Sequence, residues 1–164
     1  MRKNTLKKRD IHQSPCNLEY SGARELLIDE KYLNNYKNSI VIKILKYIGS
    51  ADKVLEFGAG VGTLAQNWEV KTGMKPECLE IDNSLRTMLV DRGFKCHDKP
   101  ESVTKTYDGI YTSNVLEHIE DDVETLRTIH GMLKPGCNLV IYVPAFMYLY
   151  SELDSSIGHY RRYN

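Results

Sequence analysis

The sequence predicts an α/β fold, a parallel sheet with helices on both faces, and three observations lead there. Val54-Leu55-Glu56-Phe57 is a short apolar run that breaks into glycines at 58, 60 and 62, then restarts as a helix at Thr63-Leu64-Ala65. Further short apolar runs at 77–81, 94–97, 107–114 and 137–143 alternate with segments of helical periodicity, the pattern of strand–helix–strand units. The run at 77–81 ends in Glu80, so a carboxylate stands at the carboxyl end of a strand, where open α/β sheets bind ligands.

The 164 residues, 41% hydrophobic and 27% charged, suffice for one domain with a real core. Residues 1–20 read as a mobile basic tail carrying Arg2, Lys3, Lys7, Lys8 and Arg9, with no apolar stretch behind them to make a secretory leader; 21–164 read as the domain. Leu26 to Tyr36 reads as a short polar helix. In the next helix Ile40, Val41, Ile44, Leu45 and Ile48 share one face, and Gly49 ends it.

The glycine turn narrows the ligand. A dinucleotide fingerprint starting at Gly58 needs a third glycine where Thr63 stands, and no Gly-Lys-Ser/Thr follows to make a phosphate loop. Glu56 beside the turn would repel a pyrophosphate and suits a cationic ligand better. After the second strand, Asp82 with Asn83 and Ser84 reads as a helix N-cap, and Leu85, Met88 and Leu89 follow at helical spacing as far as Arg92-Gly93. The third strand, Phe94 to His97, runs straight into Asp98. The fourth, Tyr107 to Asn114, leads into Val115-Leu116-Glu117-His118-Ile119. A helix over Asp121 to Met132 is stopped by Leu133-Lys134-Pro135-Gly136, and Cys137 to Val143 is the fifth strand.

Composition excludes several classes of function. Acids and bases number 22 each, so no net charge points to nucleic acid or an anionic membrane. No apolar stretch approaches the ~18 residues of a membrane span. Cys16, Cys78, Cys96 and Cys137 form no Cys-x-x-Cys pair and read as buried free thiols of a reducing compartment, which implies a cytoplasmic protein.

Val54 to Ala65 resembles motif I of the class I S-adenosylmethionine-dependent methyltransferases. Glu80-Ile81-Asp82, Val115 to Ile119 and Leu133 to Gly136 also resemble that family's segments, in the family's order, over residues 20 to 164. The resemblance implies a Rossmann-like sheet in the order 3-2-1-4-5, lacking the usual strands 6 and 7. It also implies S-adenosylmethionine as cofactor, with S-adenosylhomocysteine as product. The implied cofactor residues are Glu56, Gly58, Ala59, Gly60, Glu80, Ile81, Asp98, Asn114 and Val115. Glu80 would take the ribose hydroxyls, Asp98 the adenine amino group unless it is an ordinary loop residue, and the charge of Glu56 would favour the ammonium and sulfonium.

His118 is either a general base for the acceptor or a structural histidine. Glu117 and His118 are both possible metal ligands, but Asn114 replaces a further Glu found in some quinone-type relatives, so no metal is expected. Asp154, Gly158, His159, Tyr160, Arg161 and Arg162 resemble a segment of a bacterial subgroup often encoded near glycosyltransferases. There His159, Arg161 and Arg162 are candidate acceptor-binding residues, the arginines clamping an anionic group or simply lying at the surface. Tyr20, Tyr32 and Tyr36 are candidates for a lid over the cofactor, or packing residues.

Two functions follow from different classes: a methyltransferase for a small-molecule or saccharide acceptor, and a non-catalytic binding or assembly module on a shortened form of the same fold. In either case the strand at 139–143 is an exposed edge that invites a homodimer, unless residues 145–150 fold back over it.

Overall fold

The computed structural model describes residues 34–49 and 51–164. The basic tail, Cys16, Tyr20, Tyr32 and most of the expected 26–36 helix lie outside the described residues. Helix α1 (Asn34–Ile48) buries Ile40, Val41, Ile44 and Ile48 on one face, as their spacing predicts. It closes where the Gly49 amide donates to the Leu45 carbonyl at 2.9 Å.

The remaining elements are β1 (Val54–Phe57), α2 (Thr63–Thr72), β2 (Glu77–Leu79), α3 (Asn83–Asp91), β3 (Cys96–His97), β4 (Tyr107–Ser113), α4 (Asp122–Gly131), β5 (Leu133–Tyr142) and α5 (Glu152–Ser156). The sheet runs β3-β2-β1-β4-β5 with every pairing parallel, the expected 3-2-1-4-5 order. All four residues of β1 are buried, because both faces of the sheet are covered. Alternation along β1 divides the core. Val54 packs with α1, Leu64 and Trp68 of α2, and Tyr111 of β4; Leu55 and Phe57 pack with Ile110 of β4 and Ile129 of α4 on the other face. Leu89 of α3 and Phe94 complete a third cluster with Ala65 and Cys78.

The Asp82 cap is the one the sequence predicts, and Asp121, expected as the first helical residue, is a cap as well. Asp82 accepts from the Ser84 and Leu85 amides at 2.9 and 3.0 Å, and Asp121 accepts from the Glu124 amide at 2.9 Å. The strands differ in length from expectation. β2 ends at Leu79 and β3 is two residues long, since each pairs only over the register its neighbour offers. β5 starts at Leu133 rather than Cys137: Leu133 already pairs with Tyr107, and the register then jumps to Gly109 opposite Asn138. The Lys-Pro-Gly sequence is therefore a bulge inside the strand, with Gly136 at φ +79 supplying the left-handed residue. Cys78 is buried, whereas Cys96 and Cys137 are partly exposed, which corrects the expectation of uniformly buried thiols; all three are free.

Beyond β5 the chain folds on itself. Ala145 bridges Tyr163, and Asp154, 2% exposed, holds the segment together. Its carboxylate caps Ser151, meets Nδ1 of His159 at 3.0 Å and takes Nε and Nη2 of Arg162 at 2.8 and 3.0 Å. Residues 145–150 thus pair with the end of the segment and not with β5, and among the described residues no strand pairs the outer side of β5. No described helix is long and apolar enough to cross a membrane.

Candidate functional site

A cleft of about 1770 Å³ opens along the carboxyl ends of β1, β2, β4 and β5. The elements around it explain its shape. β1 ends in a turn whose amides at Gly58 and Ala59 donate to the Leu79 carbonyl at 2.9 and 3.1 Å, which ties the turn to the neighbouring strand. Gly58 sits at φ +75, and a Cβ there would lie 2.4 Å from Cγ2 of Val115, so the backbone passes closer to the β4 loop than any other residue would allow.

Glu80 stands at the tip of β2 and is 8% exposed. Its Oε2 accepts from the Gly60 amide at 2.8 Å and its Oε1 from the Asp82 amide at 3.0 Å. Each oxygen keeps a lone pair for a further donor. The carboxylate is thus fixed by the turn it faces.

Glu56 is buried deeper, at 2% exposure, and accepts from the Tyr111 hydroxyl at 3.0 Å. Tyr111 is itself held by stacking on Trp68, with ring centroids 5.4 Å apart. Burial pushes the Glu56 carboxyl up to about 8, outweighing the tyrosine hydrogen bond and the attraction of Lys37. Burial thus favours the protonated carboxyl at Glu56 in the unliganded cleft.

Glu56, Gly58, Ala59, Gly60, Glu80, Ile81, Asn114 and Val115 all line the cleft. Asn114 adopts a left-handed conformation at φ 54, and its amide donates to the Tyr142 carbonyl at 2.8 Å, joining the ends of β4 and β5. Tyr36 also lines the cleft, its hydroxyl 3.0 Å from that of Tyr142. Asp98 does not. It is exposed in a separate shallow depression with Asn83, Arg86 and Ser102, where its interaction with the Ser102 hydroxyl holds its carboxyl below the usual range.

The far end of the cleft is built from two segments. Leu116–His118 form a single helical turn after β4, and the Tyr160 amide donates to the Glu117 carbonyl at 2.7 Å, which brings His159 over that turn. The rings of His118 and His159 meet edge to face at 4.6 Å. Burial, with the neighbouring His159, pulls His118 below the usual imidazole range, so it is neutral at pH 7. Glu117 is fully buried, neither carboxylate oxygen has a hydrogen-bond partner, and burial pushes its carboxyl up to about 7.

The arginines are elsewhere. Arg161 pairs with Asp122 at 2.7 Å and donates to the Glu120 carbonyl, while Arg162 is the bidentate partner of Asp154. Both brace the C-terminal segment and neither lines the cleft, which corrects the expectation of an anion clamp. Sequence reasoning weighed Glu117 only as a possible metal ligand beside His118 and then set it aside. The signal available was a carboxylate next to His118 inside an otherwise apolar run; what it lacked was His159.

The sheet order and the position of this cleft define a Rossmann-like ligand-binding domain. The chain belongs to a family described as Methyltransferase domain, whose match covers residues 30–163. No curated protein matches its sequence. Among solved structures it is similar to DesVI of Streptomyces venezuelae, with 12% identity, a TM-score of 0.65 and coverage of 83% of this chain and 62% of that one. It is similar to a SAM-dependent methyltransferase from Archaeoglobus fulgidus, with 20% identity, a TM-score of 0.64 and coverage of 82% and 66%. It also resembles a SAM-bound amino pentose methyltransferase from Micromonospora echinaspora, with 16% identity, a TM-score of 0.60 and coverage of 79% and 58%. At these identities the likeness is one of fold, and the chain spans less than two thirds of the length of each of the three.

Proposed function

We propose that this domain binds S-adenosylmethionine and transfers its methyl group to a small-molecule or saccharide-type acceptor, releasing S-adenosylhomocysteine. The observation that supports this most is Glu80, a nearly buried carboxylate pinned by the Gly60 and Asp82 amides at the end of β2, with lone pairs left for a ribose diol. The glycine turn lies beside it for the methionine and ribose, and Val115 and Ile81 offer apolar surface for the adenine. Asp98 contributes to adenine binding only if the ligand reaches out of the cleft toward β3.

Asn114 and Glu56 would face the methionine end, which leaves Glu117, His118 and His159 at the acceptor end. There the acceptor's lone pair attacks the methyl carbon as the carbon–sulfur bond breaks onto sulfur, and most of the acceleration comes from alignment and exclusion of water. A neutral His118 is suited to take the acceptor's proton. Saccharide acceptors have support from the family resemblance and from the amino pentose methyltransferase that shares the fold. Calorimetric titration with S-adenosylmethionine tests the core of the reading; no binding to a folded sample would overturn it.

Glu56 gives this reading a pH signature. The buried carboxyl, at about 8 without ligand, must lose its proton to face a sulfonium or ammonium. Binding then releases a proton, so affinity rises with pH, by up to about tenfold per unit, and levels off above pH 8. The sign for stability is opposite: between pH 4.5 and 8 the unfolded chain binds fewer protons at this residue than the folded one, so the unliganded fold loses stability as pH rises. Calorimetry at pH 6, 7 and 8 in buffers of different ionisation enthalpy measures the proton. A flat profile for wild type, or the same slope in Glu56→Gln, would remove Glu56 from the cofactor site.

We also propose self-association through the outer edge of β5, where Ile141 is 39% exposed and the edge amides lack a strand partner among the described residues. Sedimentation should then show mass rising with concentration, and Ile141→Lys should shift it toward monomer. A single monomeric species throughout would count against this.

A further inference from the structure

Glu117, His118 and His159 are treated above as the acceptor end of a cleft, but their geometry points to something more specific. One ligand atom from each lies within 4.8 Å of the others. Tetrahedral bonds of about 2.0–2.2 Å to an ion set ligand atoms about 3.5 Å apart, so the three groups would close up on binding.

Three independent features make this a prepared site. The Glu117 side chain is 0% exposed and both of its oxygens lack a partner, a state that calls for a cation or a proton. His159 is oriented from behind: its Nδ1 meets Asp154 at 3.0 Å, which directs Nε2 away from Asp154 as the free donor atom, and Asp154 is itself fixed by Arg162. A carboxylate behind a ligand histidine is the usual way a protein sets its tautomer and raises its basicity. Finally, the Tyr160 amide and the Glu117 carbonyl lock the two segments together, so the three groups do not depend on a chance meeting of loops.

We propose that Glu117, His118 and His159 bind a divalent transition-metal ion, with two imidazoles and one carboxylate as its protein ligands. This donor set suits zinc, cobalt or manganese and disfavours magnesium and calcium, which take oxygen. Three protein ligands leave a position open, and all three residues are among those that line the cleft.

The use made of the open position rests on the methyl-transfer reading, whereas binding of the ion does not. An acceptor hydroxyl on the ion gives up its proton to solvent more readily; its oxygen lone pair then bonds to the methyl carbon while the carbon–sulfur pair leaves on sulfur. The imidazoles act in this case as ligands, and His118 need not be the base.

The test is titration of the untagged, chelator-treated full chain with cobalt(II), followed by visible absorption, with S-adenosylmethionine calorimetry on the same sample. We expect saturation at one ion per chain with ligand-field bands of a low-coordinate site, and displacement by zinc. Glu117→Gln, which keeps shape, and His118→Asn should each weaken cobalt binding by at least tenfold. Absence of a saturable band, or equal affinity in wild type and Glu117→Gln, overturns the metal site. Cobalt binding without S-adenosylmethionine binding upholds the site and overturns the cofactor reading; the reverse overturns only the site and returns His118 to its role as base.

Discussion

Glu80→Ala should weaken S-adenosylmethionine binding by about 100-fold or more, the loss expected when two hydrogen bonds to a charged group, worth about 1.5 kcal/mol each, disappear. The same change leaves the Gly60 and Asp82 amides without their acceptor. With the site nearly buried, that should cost a further ~1–3 kcal/mol of folding stability. Glu80→Gln separates the two effects. It keeps the shape and one acceptor oxygen, so stability should recover in part while affinity stays ~10-fold below wild type. Calorimetry and urea unfolding on the three proteins make the comparison. Wild-type affinity in Glu80→Ala would show that the ribose is held elsewhere.

Gly58→Ala should be damaging in a different way. A Cβ at this φ of +75 carries a backbone cost, and it would stand 2.4 and 2.9 Å from the two methyl groups of Val115. Left-handed strain of ~1–2 kcal/mol and overpacking of ~1–3 kcal/mol together predict a loss of about 2–5 kcal/mol. Relief can come only by moving Val115, which lines the cleft and starts the turn bearing Glu117 and His118, so binding should fall as well. Val115→Ala in the same chain removes both methyl groups. Its cost should be smaller in the Gly58→Ala background than in wild type, with the strain of φ remaining. Additive behaviour of the two substitutions would show that the residues do not touch.

The first prediction rests on features that were legible in the sequence, the second on the approach of Gly58 to Val115, which only the fold supplies. The strand–glycine–helix corner at 54–65, the carboxylate closing the second strand and the cap at Asp82 are local patterns, each enforced by backbone sterics or hydrogen bonding within a few residues. The order of the sheet was implied by the family resemblance, and the observed order agrees with it. What was not legible was any property that depends on a partner far along the chain. Arg161 and Arg162 looked like free cations because Asp122 and Asp154, which neutralise them, are brought in only by the fold of the last segment. The strand start at Leu133 was hidden by Pro135 and Gly136, which stop helices and also make bulges.

The sequence by itself determined the α/β class and the corner where a ligand is expected, because these follow from periodicity, glycine positions and strand ends, and its motifs carried the resemblance to the family. Only the tertiary structure decided the electrostatics. Burial among Tyr111, Trp68 and the core favours the protonated carboxyl at Glu56, and the return of the chain after β5 sets His159 beside Glu117 and His118. A charge's state depends on the water and partners around it, and those are fixed by contacts between residues that the sequence keeps far apart.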